Sequence, residues 1–306
     1  MQNKPNKKHA VLLDLYNHCE ARNDFVFHND LVKDYAKKHN FGNPFDATKL
    51  DSSEKLPRFF IENDICLLHL GSGNHKFIKG IDKLYHAFEP IQERITWCYQ
   101  KGLLDECNDS ESNVLSMANN YHILHHFLFF DEYEPKKYFK IVERPMNNYY
   151  NSINNKTSIN HINVIVDTND KWHIEYHIFC DGTRTYFPHR TNTDLEYYFN
   201  NEKIVAKNQQ IEIDLTLECN GIIGVFEAKN GEPKDFNIYQ IYHPFLYYHN
   251  ANLPIKHIRC CYLTKNDNSI KLWDYTFDNP LKLNSIKFRK SREYILKSHK
   301  YIPKRG

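Results

Sequence analysis

The sequence predicts an α/β protein, in which a mixed β-sheet with flanking helices follows a mainly helical N-terminal region. Three observations predict this fold class. Apolar residues recur at helical spacing near the N-terminus, segments with strand character fill residues 160–281, and a helix-length segment separates two of those strands. The composition agrees, because 306 residues with 41% hydrophobic and 25% charged side chains are typical of a globular chain with a buried core.

The first region, residues 1–90, is predicted to contain three short helices followed by a hairpin. Apolar side chains at residues 11–16 mark the first helix, His28-Asn29-Asp30 caps the second, and an Asp-Ser-Ser-Glu pattern at residues 51–54 begins the third. Two apolar stretches then flank residues 71–74, where two glycines predict a tight turn. This order of elements predicts a winged-helix-like domain.

Winged helices commonly bind DNA through the third helix and the tip of the hairpin. In this chain Asn74, His75 and Lys76 lie at or beside that tip. We therefore predict that residues 1–90 form a DNA-binding domain with these three side chains as contacts. A small packing or protein-interaction domain is the alternative.

The second region, residues 91–155, is predicted to be a helical connecting region with aromatic and leucine side chains on its buried faces. His122, His125 and His126 lie at helical spacing within it and could ligate a metal. No carboxylate completes an H-E-x-x-H pattern. We therefore interpret the three histidines as a cluster that holds no metal.

The third region, residues 156–306, contains six predicted strands. They cover residues 162–167, 172–180, 211–217, 222–228, 258–263 and 270–275. Between the fourth and the fifth, residues 235–249 are long enough for a helix, which Pro244 must kink or divide. Strand, helix and strand in succession predict parallel pairing of the two strands.

The net charge of +2 conceals a basic C-terminal segment. Residues 282–306 carry nine Lys or Arg against one acid, which predicts either a tail that binds a polyanion or a solvated terminal helix. The first ten residues lack the apolar core of a signal peptide, and no stretch approaches the roughly 18 apolar residues of a membrane span. The eight cysteines form no C-x-x-C pair. We therefore predict a cytoplasmic protein with reduced thiols.

The most informative segment is the hairpin predicted around Asn220-Gly221, since both positions tolerate positive φ. A two-residue turn there places Asp214 opposite Glu227, and Glu212 opposite Lys229. Opposed carboxylates, with Cβ atoms about 4.5–5.5 Å apart, repel each other unless a cation or a proton lies between them. Oxygen ligands of this kind suit Mg²⁺ or Mn²⁺. A surface hairpin with one polar face is the alternative.

Alternation along the first strand of this hairpin supports the register. Its acids at positions 212, 214 and 218 share one face of the strand. Its apolar residues at positions 211, 213, 215 and 217 share the other face. The pattern predicts one continuous strand with a buried side and a charged side.

Asp214, followed after twelve residues by Glu227-Ala228-Lys229, resembles the motif of the PD-(D/E)xK nuclease superfamily. The context is similar too, since a hairpin bearing Asp and then Glu-x-Lys precedes a helix and further strands. The resemblance covers roughly residues 190–280 and departs from the pattern at Ile213, where the motif has proline. With the winged-helix-like N-terminal region, the chain looks like some type II restriction endonucleases. The resemblance implies a restriction-endonuclease-like catalytic core within residues 156–306.

The resemblance also implies roles for the motif residues. Asp214 and Glu227, with the backbone carbonyl of Ala228, would bind Mg²⁺, for which Mn²⁺ could substitute. Lys229 would orient or activate the attacking water and stabilise charge on the phosphate. Gln240, on the following helix, would support the site.

Three further acids remain candidates. Glu196 would lie on a helix before the core, where some superfamily members carry an acid. Glu212 and Glu218 would replace the motif acids if the register slipped by two residues.

These features predict a Mg²⁺-dependent, sequence-specific endonuclease of the restriction type that acts on double-stranded DNA. A double-strand cut needs two active sites, which implies a homodimer or transient pairing on the DNA. Arg184 and Arg190 flank a predicted loop, and we expect both to contact DNA. The alternatives are a repair or defence nuclease that responds to DNA structure or methylation, and a DNA-binding regulator without catalysis.

Overall fold

The computed structural model describes residues 6–100, 110–129, 139–145, 161–168, 172–179, 183–266 and 268–299. The helices are α1 Lys7–Arg22, α2 Asn29–Lys38, α3 Pro44–Ala47, α4 Arg58–Glu62, α5 Ile81–Leu84, α6 Glu111–Asn120, α7 Ile123–Phe129 and α8 Tyr239–Asn250, with 3-10 turns at Ser53–Lys55 and Leu283–Ser285. The first nine strands are β1 Val26–His28, β2 Ile65–Gly71, β3 Asn74–Lys79, β4 Tyr85–Ala87, β5 Glu93–Gln100, β6 Phe139–Pro145, β7 His161–Thr168, β8 Trp172–Phe179 and β9 Arg184–Tyr186. The remaining strands are β10 His189–Phe199, β11 Glu202–Ile213, β12 Leu215–Cys219, β13 Ile222–Asn230, β14 Asp235–Asn237, β15 His257–Asn266, β16 Ser269–Phe277 and β17 Ile286–His299.

The N-terminal unit, which we define as residues 6–90, combines short helices with an antiparallel sheet in the order β1-β3-β2. Its first helix begins where the Asn6 side chain accepts hydrogen bonds from two backbone N–H groups. The sequence predicts that the third helix begins at residues 51–54. This prediction is wrong, because residues 53–55 form only a 3-10 turn. The Ser52 hydroxyl and the Ser53 N–H instead donate to the Asp235 carboxylate, at 2.9 and 2.7 Å.

The main sheet contains ten strands in the order β6-β8-β7-β5-β17-β16-β15-β13-β12-β9. Five of the six predicted strands are present near their predicted positions, whereas the segment 211–217 is divided between the end of β11 and the start of β12. β13 and β15 pair in parallel, as predicted, and α8 follows β13 as one helix that continues through Pro244. Parallel and antiparallel pairs coexist in this sheet, so the prediction of a mixed α/β architecture is confirmed.

The region from 91 to 155 is only partly helical, so the prediction of a helical connecting region is wrong there. β5 pairs in parallel with β17, and β6 pairs with β8, so both strands belong to the main sheet. Ile95 and Trp97 are buried two residues apart in β5, which is the period of a strand. In the described part of this region, α6 and α7 are the helical elements.

The basic C-terminal segment is neither a tail nor a helix over its described residues, because β17 lies between β16 and β5 in the main sheet. Arg292 is buried, and its Nε donates to Glu93 Oε2 at 2.7 Å. Arg94 Nε donates to Glu293 Oε2 at the same distance. Ion pairs with β5 therefore hold both a base and the acid of a segment that local sequence presents as solvated.

One hydrophobic cluster joins the N-terminal unit to one face of the main sheet, and a second cluster lies under α6 and α7. Leu12 and Phe77 share the first cluster with Tyr262 of the main sheet. β4 also pairs with β14. The predicted boundary at residue 90 therefore does not separate two independent cores.

Three other predictions concern membrane segments, thiols and the histidine cluster. No helix in the described ranges is long and apolar enough to span a membrane. Five described cysteines are free and buried, at positions 19, 66, 219, 260 and 261. His126 is buried in the second cluster, where its Nδ1 hydrogen bonds to the Tyr294 hydroxyl at 2.8 Å.

Candidate active site

The β12–β13 hairpin has the predicted register. Asn220 and Gly221 form its turn with φ of 52° and 85°, in the left-handed region that this turn requires. Cys219 pairs with Ile222, and Leu215 pairs with Phe226. One more step along the same register places Asp214 beside Glu227.

The first strand of the predicted hairpin is interrupted at Asp214, which is a finding that alternation alone does not predict. Glu212 pairs with Arg190 on β10, so its predicted position opposite Lys229 is wrong. Ile211 packs in the first hydrophobic cluster, whereas Leu215 packs in the second. The chain therefore bends at Asp214 and crosses between the two cores, which leaves this carboxylate at the junction.

Asp214 and Glu227 lie side by side. The Asp214 Oδ2 accepts a hydrogen bond from the Ala228 N–H at 3.2 Å, and the hairpin register places its carboxyl group opposite that of Glu227. The Glu227 side chain is 13% exposed. Two acids thus share a mostly buried site at the end of the hairpin.

Lys229 and Gln240 complete the predicted motif around Glu227. Lys229 Nζ donates to Glu227 Oε1 at 2.9 Å and to the Ala228 carbonyl at 3.1 Å. Gln240 Nε2 donates to the same Glu227 oxygen at 2.7 Å, from the first turn of α8. The structure brings together all four side chains that the sequence nominated for catalysis.

A third acid, Glu111, lies at the site and was missed by sequence reasoning. Its Oε2 accepts from Lys229 Nζ at 3.2 Å. Glu111 is the first residue of α6 after the Ser110 N-cap, and a Ser-Glu helix start is the only local signal that marks it. We call Asp214, Glu227, Glu111 and Lys229 the acidic cluster.

The other acids that the sequence nominated lie outside the acidic cluster. Glu196 is on strand β10 rather than on a helix, and it forms an ion pair with Lys203 at 2.7 Å. Glu218 accepts from the Tyr186 hydroxyl at 3.2 Å and lies 3.5 Å from Arg184. The prediction that Glu196 supplies a helix acid is therefore wrong.

The electrostatics of the acidic cluster are unbalanced toward negative charge. Burial raises the pKa of Glu227 to about 8, and the neighbouring charge of Asp214 adds to the rise although Lys229 opposes it. Burial also raises the pKa of Asp214. Burial lowers the pKa of Lys229, but Glu227, Glu111 and Asp214 outweigh this effect and hold the pKa above its usual value.

The donor set fits a hard divalent cation. The Lys229 ammonium already contacts a carboxylate oxygen of Glu227, the Ala228 carbonyl and a carboxylate oxygen of Glu111, so a positive charge is held there by oxygen atoms alone. In the described ranges no group of three or more His, Cys, Asp or Glu is arranged to hold a metal ion. An ion at Asp214, Glu227 and the Ala228 carbonyl would keep several positions for water or substrate, as Mg²⁺ usually does.

The acidic cluster opens into a cleft of about 650 Å³ between the N-terminal unit and the main sheet. Its lining includes His69 and Asn74 from the N-terminal unit and Gln209 and Tyr239 from the sheet side. The cleft therefore depends on both parts of the chain.

The predicted wing residues lie beside the β2–β3 turn, at the cleft or its edge. Asn74 Nδ2 donates to the Gly71 carbonyl at 3.3 Å, and Lys76 forms an ion pair with Glu202. His75 is only 4% exposed and hydrogen bonds through Nε2 to Asn29 Oδ1 at 2.8 Å. The turn itself is not a free tip, because the Ser72 hydroxyl donates to the Lys207 carbonyl of β11 at 3.1 Å.

The two predicted arginine contacts are both exposed and both paired. Arg190 Nε donates to Glu212 Oε1 at 2.5 Å, and Glu212 lines the cleft. Arg184, on the edge strand β9, lies near Glu218 and does not line the cleft. Of the two, Arg190 is the one next to the candidate site.

The chain matches two sequence families, one on each side of the cleft. A family described as a domain of unknown function (DUF6997) matches residues 129–295, which is more than half of the chain. The chain belongs to the DUF6997 family. The DUF6997 segment contains Asp214, Glu227, Lys229 and Gln240, whereas Glu111 precedes it. A second domain of unknown function (DUF6996) matches residues 9–77 in the N-terminal unit. No curated protein and no solved structure matches the chain.

Proposed function

We propose that this protein is a Mg²⁺-dependent endonuclease that hydrolyses phosphodiester bonds in double-stranded DNA, with the sequence specificity of a type II restriction enzyme. The observation that carries the proposal is the convergence of Asp214, Glu227 and Lys229 on one end of the β12–β13 hairpin. This is the arrangement that the PD-(D/E)xK resemblance implies. The hairpin, α8 and the parallel strand β15 follow in the order that the resemblance implies.

The charge of the acidic cluster supports a bound cation. Three carboxylates surround one ammonium, and two of those carboxylates are buried enough to have raised pKa values. Asp214, Glu227 and the Ala228 carbonyl would hold Mg²⁺. When bound, the ion would neutralise phosphate charge and lower the pKa of water at the site.

Lys229 is suited to stabilise negative charge rather than to act as a base. Its raised pKa keeps the ammonium protonated at neutral pH. A protonated amine cannot accept a proton from water, but it can donate hydrogen bonds to the phosphate as charge develops there. Gln240 orients Glu227 by donating to Oε1, so its role is to position a carboxylate.

The N-terminal unit supports a nucleic-acid substrate. Its helices precede an antiparallel hairpin, in the order α1-β1-α2-α3-α4-β2-β3 with the sheet order β1-β3-β2, which is compatible with a winged-helix-like module. Because the hairpin contacts β11, this module would supply a wall of the cleft rather than a separate wing. Cutting both strands then calls for a second copy of the chain, as a homodimer or a transient pair.

DNA cleavage tests this proposal. Plasmid and phage DNA, methylated and unmethylated, are incubated with wild type, Glu227→Gln and the matched control Glu218→Gln, with Mg²⁺ or with EDTA. We expect discrete fragments from wild type and the control, only with Mg²⁺, and none from Glu227→Gln.

Two other outcomes would contradict the proposal and favour one of its alternatives. A smear that requires Mg²⁺ and Glu227 would indicate a nuclease that responds to DNA structure. DNA binding without cleavage of any substrate would indicate a regulator.

A further inference from the structure

The cleft has a second wall that the catalytic residues do not use. Four rings follow one another along it: His75 and His69 with centroids 4.8 Å apart, His69 and Tyr239 at 5.4 Å, and Tyr239 and His243 stacked at 5.5 Å. All four line the cleft, and Gln240 follows Tyr239 directly in the chain. A ring-lined wall, with edge-to-face contacts on either side of His69 and a stacked pair at Tyr239 and His243, therefore leads to the acidic cluster.

The rings in this wall are uncharged. Burial lowers the pKa of His69 to about 4 and that of His243 to about 3. Burial also lowers the pKa of His75 to about 2. Neutral imidazoles can stack on a flat ligand without attracting anions, so this wall differs in chemistry from a phosphate site.

Among the described residues that line the cleft, His75 Nδ1, Gln209 Oε1 and Gln240 Oε1 are buried and have no hydrogen-bond partner in the protein. His75 is nine-tenths buried, and its Nδ1 makes no hydrogen bond. Since His75 Nε2 pairs with the Asn29 oxygen, the proton is on Nε2 and Nδ1 is an acceptor. Gln209 Oε1 is likewise buried and without a partner, while its Nε2 donates to the Gln210 carbonyl at 2.8 Å.

Buried acceptors without partners are costly, and a ligand that brings N–H donors would satisfy them. Among flat ligands, the nucleobases adenine, cytosine and guanine carry exocyclic amino groups, whereas thymine carries a single ring N–H donor. A volume of about 650 Å³ is large enough for one nucleotide. The wall therefore suits a single base that has left the double helix.

An exposed aromatic residue lies at the same cleft. Phe45, the second residue of α3, lines the cleft and is 54% exposed. Proteins that unstack DNA often insert an apolar side chain between base steps. Phe45 is placed to fill the gap that an extruded base leaves behind.

We propose that the cleft binds one extrahelical nucleotide of duplex DNA, with an amino-bearing base against the His75–His69–Tyr239 wall and Phe45 in the vacated stack. This inference rests on the proposed function, because it takes DNA as the ligand. It assigns His75 a role inside the cleft instead of the wing-tip contact that the sequence suggests. A base that is already unpaired then binds better, because no pairing energy is lost on extrusion.

Binding to unpaired bases tests the inference without any cleavage. Affinity is measured with Ca²⁺ in place of Mg²⁺ for three otherwise identical 30-bp duplexes: fully paired, with adenine opposite an abasic site, and with thymine opposite an abasic site. We expect at least about tenfold tighter binding of the unpaired adenine than of the paired duplex, and a smaller gain for thymine.

Four variants locate the effect in the cleft. His75→Phe and Gln209→Leu should each bring the affinities for unpaired adenine and paired duplex close together, and Phe45→Ala should reduce the preference about fivefold. His249→Phe, on the exposed end of α8, is the matched control and should keep the preference. Thermal melts identify any variant that fails to fold. If His75→Phe or Gln209→Leu does not fold, the other of these two variants tests the inference.

The outcomes separate this inference from the proposed function. Equal binding of paired and unpaired duplexes would overturn the inference and leave the endonuclease proposal intact. Binding of free deoxynucleotides, with no affinity for any duplex, would overturn both and indicate a mononucleotide site. Loss of cleavage in Glu227→Gln with an unchanged preference for unpaired adenine would support both.

Discussion

Two buried charge clusters lie close together in the main sheet and differ in their balance of charge. In the first, Asp274 of β16 is fully buried, accepts from Arg259 Nε of β15 at 2.8 Å, and lies 3.2 Å from Arg289 Nε of β17. In the second, the acidic cluster, Lys229 donates to Glu111 and Glu227, and the nearby charge of Asp214 also raises the pKa of Lys229. Arg259 pairs with Gly224 of β13, three residues before Glu227 on the same strand.

The difference teaches how to separate a structural cluster from a functional one. One acid between two guanidinium groups has more than its counter-charge within the protein and needs no added cation. Three acids near one ammonium have an excess of negative charge, and their site opens into a cleft. A cation from solution would offset that excess, which is the basis of the cation site that we propose there.

The largest effect should come from removing an arginine from the cluster around Asp274. Arg259→Met leaves Asp274 buried without its closest base, so we expect a loss of about 3–5 kcal/mol in the free energy of unfolding. Urea denaturation measures it. Arg289→Met serves as the comparison, with a smaller loss because that side chain is partly exposed. A loss below about 1 kcal/mol for Arg259→Met would show that Asp274 is not held as the structure indicates.

Glu227→Gln should reduce cleavage without reducing stability. Without this carboxylate the site cannot hold a divalent cation, so we expect cleavage to fall about 10³-fold. Stability at pH 8 should stay the same or rise, because a buried and repelled carboxylate has been removed. Cleavage rates and urea midpoints are measured together. A stable variant with wild-type cleavage would contradict the assignment of Glu227.

Lys229→Met should separate charge stabilisation from cation binding. We expect cleavage to fall about 10²-fold, since the positive charge beside the phosphate is gone. Divalent-ion affinity should not fall, because the ammonium that occupies the oxygens of Glu227 and Ala228 is removed. Calorimetric titration with Mn²⁺ checks this, and a loss of ion binding would mean that Lys229 organises the site instead.

The raised pKa of Glu227 should make the stability of the protein depend on pH. Its ordinary pKa is 4.5 and its folded pKa is about 8, so the folded protein binds more protons than the unfolded chain between those values. Stability of the metal-free protein should therefore fall as pH rises from about 4.5 to about 8. The melting temperatures of wild type and Glu227→Gln should converge at pH 5 and diverge at pH 8, and saturating Mg²⁺ should reduce the divergence.

Glu111→Gln should have the smallest effect. This side chain is 48% exposed, so solvent screens its charge. We expect a reduction of about two- to fivefold in divalent-ion affinity. Mn²⁺ titration measures the change, and a loss as large as that of Glu227→Gln would make Glu111 a direct ligand.

The arrangement of the candidate site residues could be predicted from sequence because one local feature determines their geometry. Asn220-Gly221 permits only a tight turn, and the turn sets which residues of β12 and β13 lie opposite each other. Gln240 follows because α8 begins soon after β13. Each of these relations acts over a short stretch of chain.

The remaining features depend on contacts between distant segments, which local patterns do not encode. Glu111 reaches Lys229 only because α6 packs on β13. The charges of β17 pair with those of β5, so a segment that looks solvated is a central strand. His75 looks like an exposed wing residue, and its burial depends on Asn29 and the neighbouring rings. The bend at Asp214 likewise depends on β10, which pairs with β11.

The most direct test of the central claim, that the acidic cluster binds a divalent cation for catalysis, is calorimetric titration with Mn²⁺ at pH 7 in two buffers of different ionisation enthalpy. We expect one ion per chain and release of about one proton, because Glu227 has a pKa of about 8 and must ionise to bind the ion. Binding should be lost in Asp214→Asn and Glu227→Gln and kept in Glu218→Gln. Absence of binding in wild type, or unchanged binding in both variants, would contradict the account.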